Sequence, residues 1–141
     1  MFSQTAEYAM RAIVWLAEHR DNEKMFGHRE ISRGTKVPES YLPKILNSLV
    51  KADLVVSKRG AGGGFRLSRD PVAISLLQVI NAVDPLQRIH SCPLKLKAHK
   101  SQLCPVHAKL DATLAEVEKT LANSTIQEVL YQPNFPHPLR E

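Results

Sequence analysis

Arg59-Gly60-Ala61-Gly62-Gly63-Gly64-Phe65 joins two short runs, Leu54-Val55-Val56-Ser57 and Phe65-Arg66-Leu67-Ser68, that are rich in β-branched or aromatic residues. Glycine admits positive φ and close backbone approach, so the segment reads as strand, tight tip and returning strand. A phosphate-cradling loop has a similar composition, but its glycines must lead from a strand into a helix N-terminus. Here they lead back into a strand. Lys58, Arg59 and Arg66 flank the glycines with charges suited to a nucleic-acid backbone. The hairpin is therefore predicted to be a DNA-binding wing.

Working back from the hairpin, Leu42, Ile45, Leu46 and Leu49 recur at helical spacing and mark a buried stripe. Ser40, Tyr41, Lys44, Asn47 and Lys51 fall mostly off that stripe and are left to face outward. Pro43 sits awkwardly in this helix: either the helix starts late with Ser40 as its cap, or its first turn is distorted. A shorter helix is expected near His28 to Gly34, with Gly34 as a left-handed stop. Before it, Ala6, Ala9, Met10, Ile13, Leu16 and Ala17 give a first helix, about Ser3 to His19, one apolar face. Short helix, turn, longer helix and glycine-tipped hairpin together spell a winged helix-turn-helix. Of its outward residues, Ser40, Tyr41 and Lys44 are the candidates for the major groove, and Arg59 for the minor groove. Lys44 can read guanine or neutralise a phosphate, and the phosphate contact is the expectation.

Working forward, Ser75-Leu76-Leu77-Gln78 has capping-box spacing and opens a helix that stops at Asp84-Pro85. From Leu86 to Leu103 the chain is basic, rich in histidine and without a clean period, so it reads as a loop. Pro105 suits the first turn of a long helix whose Val106, Leu110, Leu114, Val117 and Leu121 lie three or four apart. Such a seam either packs back on its own core or meets a second copy, and a homodimer is the expectation. Thr125 and Glu128 form a further capping box, and the tail from Gln132, with three prolines, is expected to be extended and poorly ordered. The organisation is then a winged helix-turn-helix with a supporting helix over 1–84, a cysteine/histidine loop over 85–104, dimerisation and terminal helices over 105–130, and a tail over 131–141. The fold class is mainly α with a small β-hairpin.

Composition bounds the function. The 141 residues make about one domain, 43% hydrophobic and 23% charged, which is ordinary for a globular chain. A net charge of +5 and a pI near 9.4 favour polyanionic partners. The longest apolar run, Ala12 to Ala17, falls far short of the roughly 20 residues a membrane helix needs. The cytoplasm is the expected location, with no membrane partner. There, two cysteines separated by eleven residues read as ligands or redox groups before a permanent disulfide. No Cys/His pair stands in a recognisable catalytic motif, so an enzyme is not expected. His19, His28, His90 and His137 read as surface residues.

Four motifs taken together carry a resemblance: Ser3-Gln4-Thr5-Ala6-Glu7-Tyr8-Ala9, Ser40-Tyr41-Leu42, the glycine tip, and Ile80-Asn81-Ala82-Val83-Asp84. Over roughly residues 1 to 130 the chain resembles the IscR/NsrR (Rrf-two) family of bacterial winged-helix transcription regulators. The resemblance implies a homodimer built on the long C-terminal helix, two heads reading a palindromic operator, and often an iron–sulfur cluster in the loop before that helix. Cluster-bearing relatives carry three cysteines there; this chain keeps Cys92 and Cys104 and has Ala98 in place of the middle one. His99 lies beside that position and His107 one helical turn past Cys104, giving Cys-x6-His-x4-Cys-x2-His. Thiolates with imidazoles suit a 2Fe-2S cluster or zinc alike. Glu7 occupies the position at which some relatives supply a carboxylate ligand from the first helix. A metal-free regulator or a protein-binding winged helix, with or without zinc, is the alternative.

Overall fold

The computed structural model describes residues 2–21 and 23–141. Helix α1 (Gln4–Glu18) opens where Ser3 Oγ accepts the Ala6 amide at 3.1 Å. It buries Ala9, Ala12, Ile13 and Leu16 and forms the centre of the molecule, with α2 (His28–Thr35), α3 (Leu42–Lys51), α4 (Leu76–Val83) and α6 (Ile126–Tyr131) packed around it. Leu42, Ile45, Leu46 and Leu49 of α3 are all buried against this core. Each such side chain contributes about 1.5–3 kcal/mol by leaving water.

The wing is an antiparallel pair, β1 (Val55–Lys58) and β2 (Gly64–Leu67), in the register Val55↔Leu67 to Lys58↔Gly64. Gly60, Gly62 and Gly64 all take positive φ. A third extended residue seats the hairpin on the body: the Phe26 amide donates to Phe65 O at 2.9 Å, and the Phe65 amide returns to Phe26 O at 2.8 Å. A Cβ on Gly64 would stand 2.5 Å from the Phe26 carbonyl oxygen, so this approach admits only glycine.

Both capping boxes form as the spacing indicates, Ser75 with Gln78 and Thr125 with Glu128. Pro43 is accommodated by a distorted first turn: Glu39–Tyr41 winds as a 3-10 turn and α3 proper begins at Leu42. The expected role of Gly34 is corrected. The left-handed residue ending α2 is Lys36 (φ 57°), and Gly34 lies inside the helix against Trp15, where a Cβ would come within 1.9 Å of the indole Nε1. Close packing between α1 and α2, not chain reversal, calls for glycine there. The tail also departs from expectation. Leu139 packs against the core, while Arg140 and His137 both reach Glu18 of α1.

Helix α5 (Pro105–Asn123) is the outlying element. It packs on α4, yet none of its residues is buried, and Val106 and Leu110 are 65% and 51% exposed.

Candidate functional site

Two surfaces gather the residues singled out by the sequence. The first comprises α3 with the turn before it and the neighbouring hairpin. Ser40 and Tyr41 lie exposed in the 3-10 turn before α3, and the Tyr41 ring stands edge-on to Tyr8 of α1 at 5.5 Å. Lys44 is exposed on α3, Lys58 ends β1, and Arg59 begins the tip. Between α3 and the hairpin runs a cleft of about 490 Å³, lined by Pro43, Asn47 and Val50 on one side and by Ser57 to Gly60 and Gly63 to Phe65 on the other. Gly27 and His28, at the start of α2, also line it.

Arg66 is placed apart from these. It lines a different cavity, with Leu16, His19 and Lys24 at the end of α1, and its Nη1 donates to Leu67 O at 3.3 Å. Sequence reasoning grouped Arg66 with the tip cations because the two are close along the chain. The register pairs Val56 with Arg66 and Ser57 with Phe65, so Arg66 faces away from Ser57 and Phe65, which line the cleft against α3.

The second surface is the loop between α4 and α5. Its base is closed by Asp111 of α5, whose two carboxylate oxygens accept Arg88 Nε and Nη2, each at 2.7 Å, while the Ile89 amide donates to the same carboxylate at 2.9 Å. The Arg88 guanidinium and that amide hold the Asp111 carboxyl well below the usual carboxylate range. Asn81 Oδ1 accepts the Leu86 amide at 2.9 Å and fixes the chain as it leaves α4. Neither Arg88 nor Asp111 was singled out by the sequence, and their separation of 23 positions left no local signal.

Within the loop each cysteine is paired with one histidine. His99 Nδ1 lies 3.3 Å from Cys92 Sγ, and His107 Nδ1 lies 3.3 Å from Cys104 Sγ. Cys92 is buried and lines a cavity of about 370 Å³ with Lys95, His99 and Lys100. The His99 imidazole, aided by the Leu96 and Leu94 backbone, lowers the Cys92 thiol to about 7. Cys104 is the N-cap of α5, and His107 stands in its first turn. The two pairs remain two pairs: among the described residues, no three His, Cys, Asp or Glu side chains gather in one place to hold a metal. Glu7 is likewise apart, ion-paired with Arg11 at the start of α1. It borders an apolar hollow formed by Phe2, Ala6, Met10, Ile80 and Leu121. In donor type the pairs fit a 2Fe-2S cluster or zinc, each offering one sulfur and one nitrogen.

A family profile described as an iron-dependent transcriptional regulator, Rrf2, matches residues 2–132. Over 123 residues the chain is 32% identical to the HTH-type transcriptional regulator IscR of Vibrio cholerae, spanning 87% of this chain and 70% of that protein. Among solved structures, T. potens IscR superposes with a TM-score of 0.74 at 23% identity, covering 97% of this chain and 93% of that one. CymR, the global cysteine regulator of B. subtilis, gives 0.72 at 22% identity over 91% and 94% of the two chains. These two structural likenesses show the shared winged-helix fold.

Proposed function

The chain belongs to the Rrf2 family of transcriptional regulators, and on that premise we propose that it acts as a homodimer on a palindromic duplex in the cytoplasm and senses redox or iron–sulfur status through its α4–α5 loop. Its matched relatives are transcription regulators, not enzymes. The observation that carries the DNA reading is the exposed set Ser40, Tyr41, Lys44, Lys58 and Arg59 gathered on α3 and the wing. Cations there neutralise phosphates and release counterions, while the first turn of α3 meets base edges. Arg66, turned toward α1, is the weaker member of the proposed contact set.

The second copy docks along α5. A helix whose apolar stripe is exposed at Val106 and Leu110 and only half-buried at Leu114, Val117 and Leu121 gains by covering it, and two such stripes related by a twofold axis are self-complementary. Among the described residues, no helix is long and apolar enough to cross a membrane.

For the loop, the proposed ligands are Cys92 and Cys104, completed by His107 or His99 and by Glu7 of the partner subunit. A bound 2Fe-2S cluster would supply a centre that gains or loses an electron and falls apart under oxidants. The chain's own contribution is the closed loop base: Asp111 ties Arg88 and Ile89 to the helix that Cys104 begins, so the two ends of the loop are held to one another. Zinc in the same donors gives a stabilised regulator without redox sensing.

Anaerobic purification followed by iron, zinc and acid-labile sulfide analysis separates these states. Selection of bound duplexes from a random pool by the same preparation tests the operator. Recovery of a palindromic motif, with sulfide present and affinity altered by Cys92→Ala, is the expected result. Stoichiometric zinc, no sulfide and unaltered affinity would remove the cluster and leave the regulator.

A further inference from the structure

Beyond α6 the chain returns to the corner between α1 and α2. Leu139 is half-buried against the core, and its amide donates to His137 Nδ1 at 3.2 Å. That bond leaves His137 Nε2 facing Glu18 Oε1 at 3.5 Å, and Arg140 meets the same oxygen. The Glu18 side chain is 12% exposed under these contacts. Residues 138–140 also wall a cavity of about 510 Å³, opposite Arg11 of α1 and Gly34, Thr35 and Lys36 at the end of α2. The end of α2 governs what comes after it. Lys36 takes the left-handed conformation, Thr35 Oγ1 accepts the Val37 amide at 3.3 Å, Ser32 Oγ donates to Val37 O at 2.7 Å, and the chain then passes into α3.

We propose that residues 137–140 form a strap that clamps the α1–α2 corner and so holds the turn leading into α3 in its DNA-binding position. The clamp stands on the tail contacts, and its effect on DNA rests on the reading of the chain as a DNA-binding regulator. Arg140 is 66% exposed, and an exposed ion pair alone contributes little. Packed beside Leu139, however, the pair fixes where the segment lies. Lifting the strap returns Glu18 to water and uncovers one leucine, so it is a unit that opens without unfolding the body. Charge reversal perturbs it most sharply. Arg140→Glu sets a carboxylate against Glu18, Glu18→Arg sets a cation against Arg140, and the two together restore the attraction with the signs exchanged.

The test is amide hydrogen exchange of the full chain, read by mass spectrometry, together with fluorescence anisotropy on a labelled random-sequence duplex of two DNA turns. Each single reversal is expected to speed exchange over residues 34–37 by about tenfold, with α4 unchanged, and the double reversal to restore the parent rate. Affinity separates the strap from simple charge. Arg140→Glu lowers the net charge and Glu18→Arg raises it, so charge alone would move their affinities for DNA in opposite directions. A lifted strap weakens both, by about threefold to tenfold, and the double reversal recovers the loss. Arg140→Ala and Glu18→Gln, which only remove the pair, take the place of any reversed chain that melts well below its parent. Parent-like exchange over residues 34–37 in both single variants overturns the strap. Affinities that stay put or move in opposite directions overturn its link to DNA. A parent protein that binds no duplex overturns the regulator reading, while the exchange rates still decide the strap.

Discussion

Gly34→Ala sets two well-known effects against each other, and the structure decides the sign. Alanine in the interior of a helix is favoured over glycine by about 1 kcal/mol. At position 34, however, the added methyl would lie 1.9, 2.4 and 2.6 Å from Nε1, Cε2 and Cδ1 of Trp15. The indole has little room to yield. It is 8% exposed, stacked on His19 at 4.1 Å and met edge-on by Phe26 at 4.9 Å. Ordinary contact needs carbon atoms about 3.5–4.0 Å apart, so either the ring or α2 must move by more than an ångström. Forcing an extra methyl into a packed site costs about 1–3 kcal/mol, and a clash this deep belongs at the upper end. After subtracting the helix gain, the net loss is about 1–2 kcal/mol, or roughly 4–8 °C in melting temperature for a chain of this size. Urea and thermal unfolding of Gly34→Ala, Trp15→Phe and the double variant measure it. The smaller phenyl ring should relieve the clash, so the alanine should cost less in the Trp15→Phe background. A Gly34→Ala protein as stable as its parent, or strict additivity in the cycle, would show that the α1–α2 contact does not require glycine.

Replacing Leu114 and Val117 with Glu should give monomers or insoluble chain by light scattering, since an unpaired charge buried in an interface is costly; a well-folded dimer would place the seam elsewhere. Arg59→Ala and Lys44→Ala should each flatten the dependence of log affinity on log salt by about 0.9, so their deficits shrink roughly 3.5-fold between about 50 and 200 mM salt; equal slopes in all three proteins would remove both contacts. In metal-free protein the ultraviolet thiolate absorbance of Cys92 should rise with a midpoint near pH 7, and His99→Ala should move that midpoint up, because the imidazole is the main cause of the lowered thiol. The linkage has a sign as well: a thiol lowered by folding adds stability above its unfolded value, and that addition is lost as pH falls through about 7. An unmoved midpoint in His99→Ala would mean that the Cys92–His99 contact does not hold in solution.

The elements that could be read from the sequence are those whose causes are local. Ser75 with Gln78 and Thr125 with Glu128 are satisfied within three positions, and both capping boxes formed. The wing was legible because its glycines sit between strand formers and need no distant partner to turn the chain. Gly34 was misread for the opposite reason. Glycine after a short apolar pattern commonly ends a helix, whereas its role here is set by Trp15, nineteen positions away, and the left-handed position falls to Lys36. The tail was taken as free because prolines and polar residues dominate it; Glu18 and the core, more than a hundred positions back, hold it down.

The loop divides along the same line. The Cys-x6-His-x4-Cys-x2-His spacing marks four candidate ligands without pairing them; in the structure His99 Nδ1 meets Cys92 Sγ and His107 Nδ1 meets Cys104 Sγ, each at 3.3 Å. Whether the two pairs act as one site depends on what brings positions 92–99 toward positions 104–107, and no spacing rule contains that. The structure supplies one half of the answer. Asp111 grips Arg88 and the Ile89 amide, so the segment before Cys92 is fixed to the helix that Cys104 caps. The stretch between the cysteines then remains the adjustable part, and its cations Lys95, Lys97 and Lys100 are exposed. A charged, exposed segment held at both ends buries little apolar surface, so small free energies are enough to rearrange it. In the proposed sensing, ligand binding or oxidation at the cysteines would act on that segment first, and the Arg88–Asp111 pair would connect it to α5.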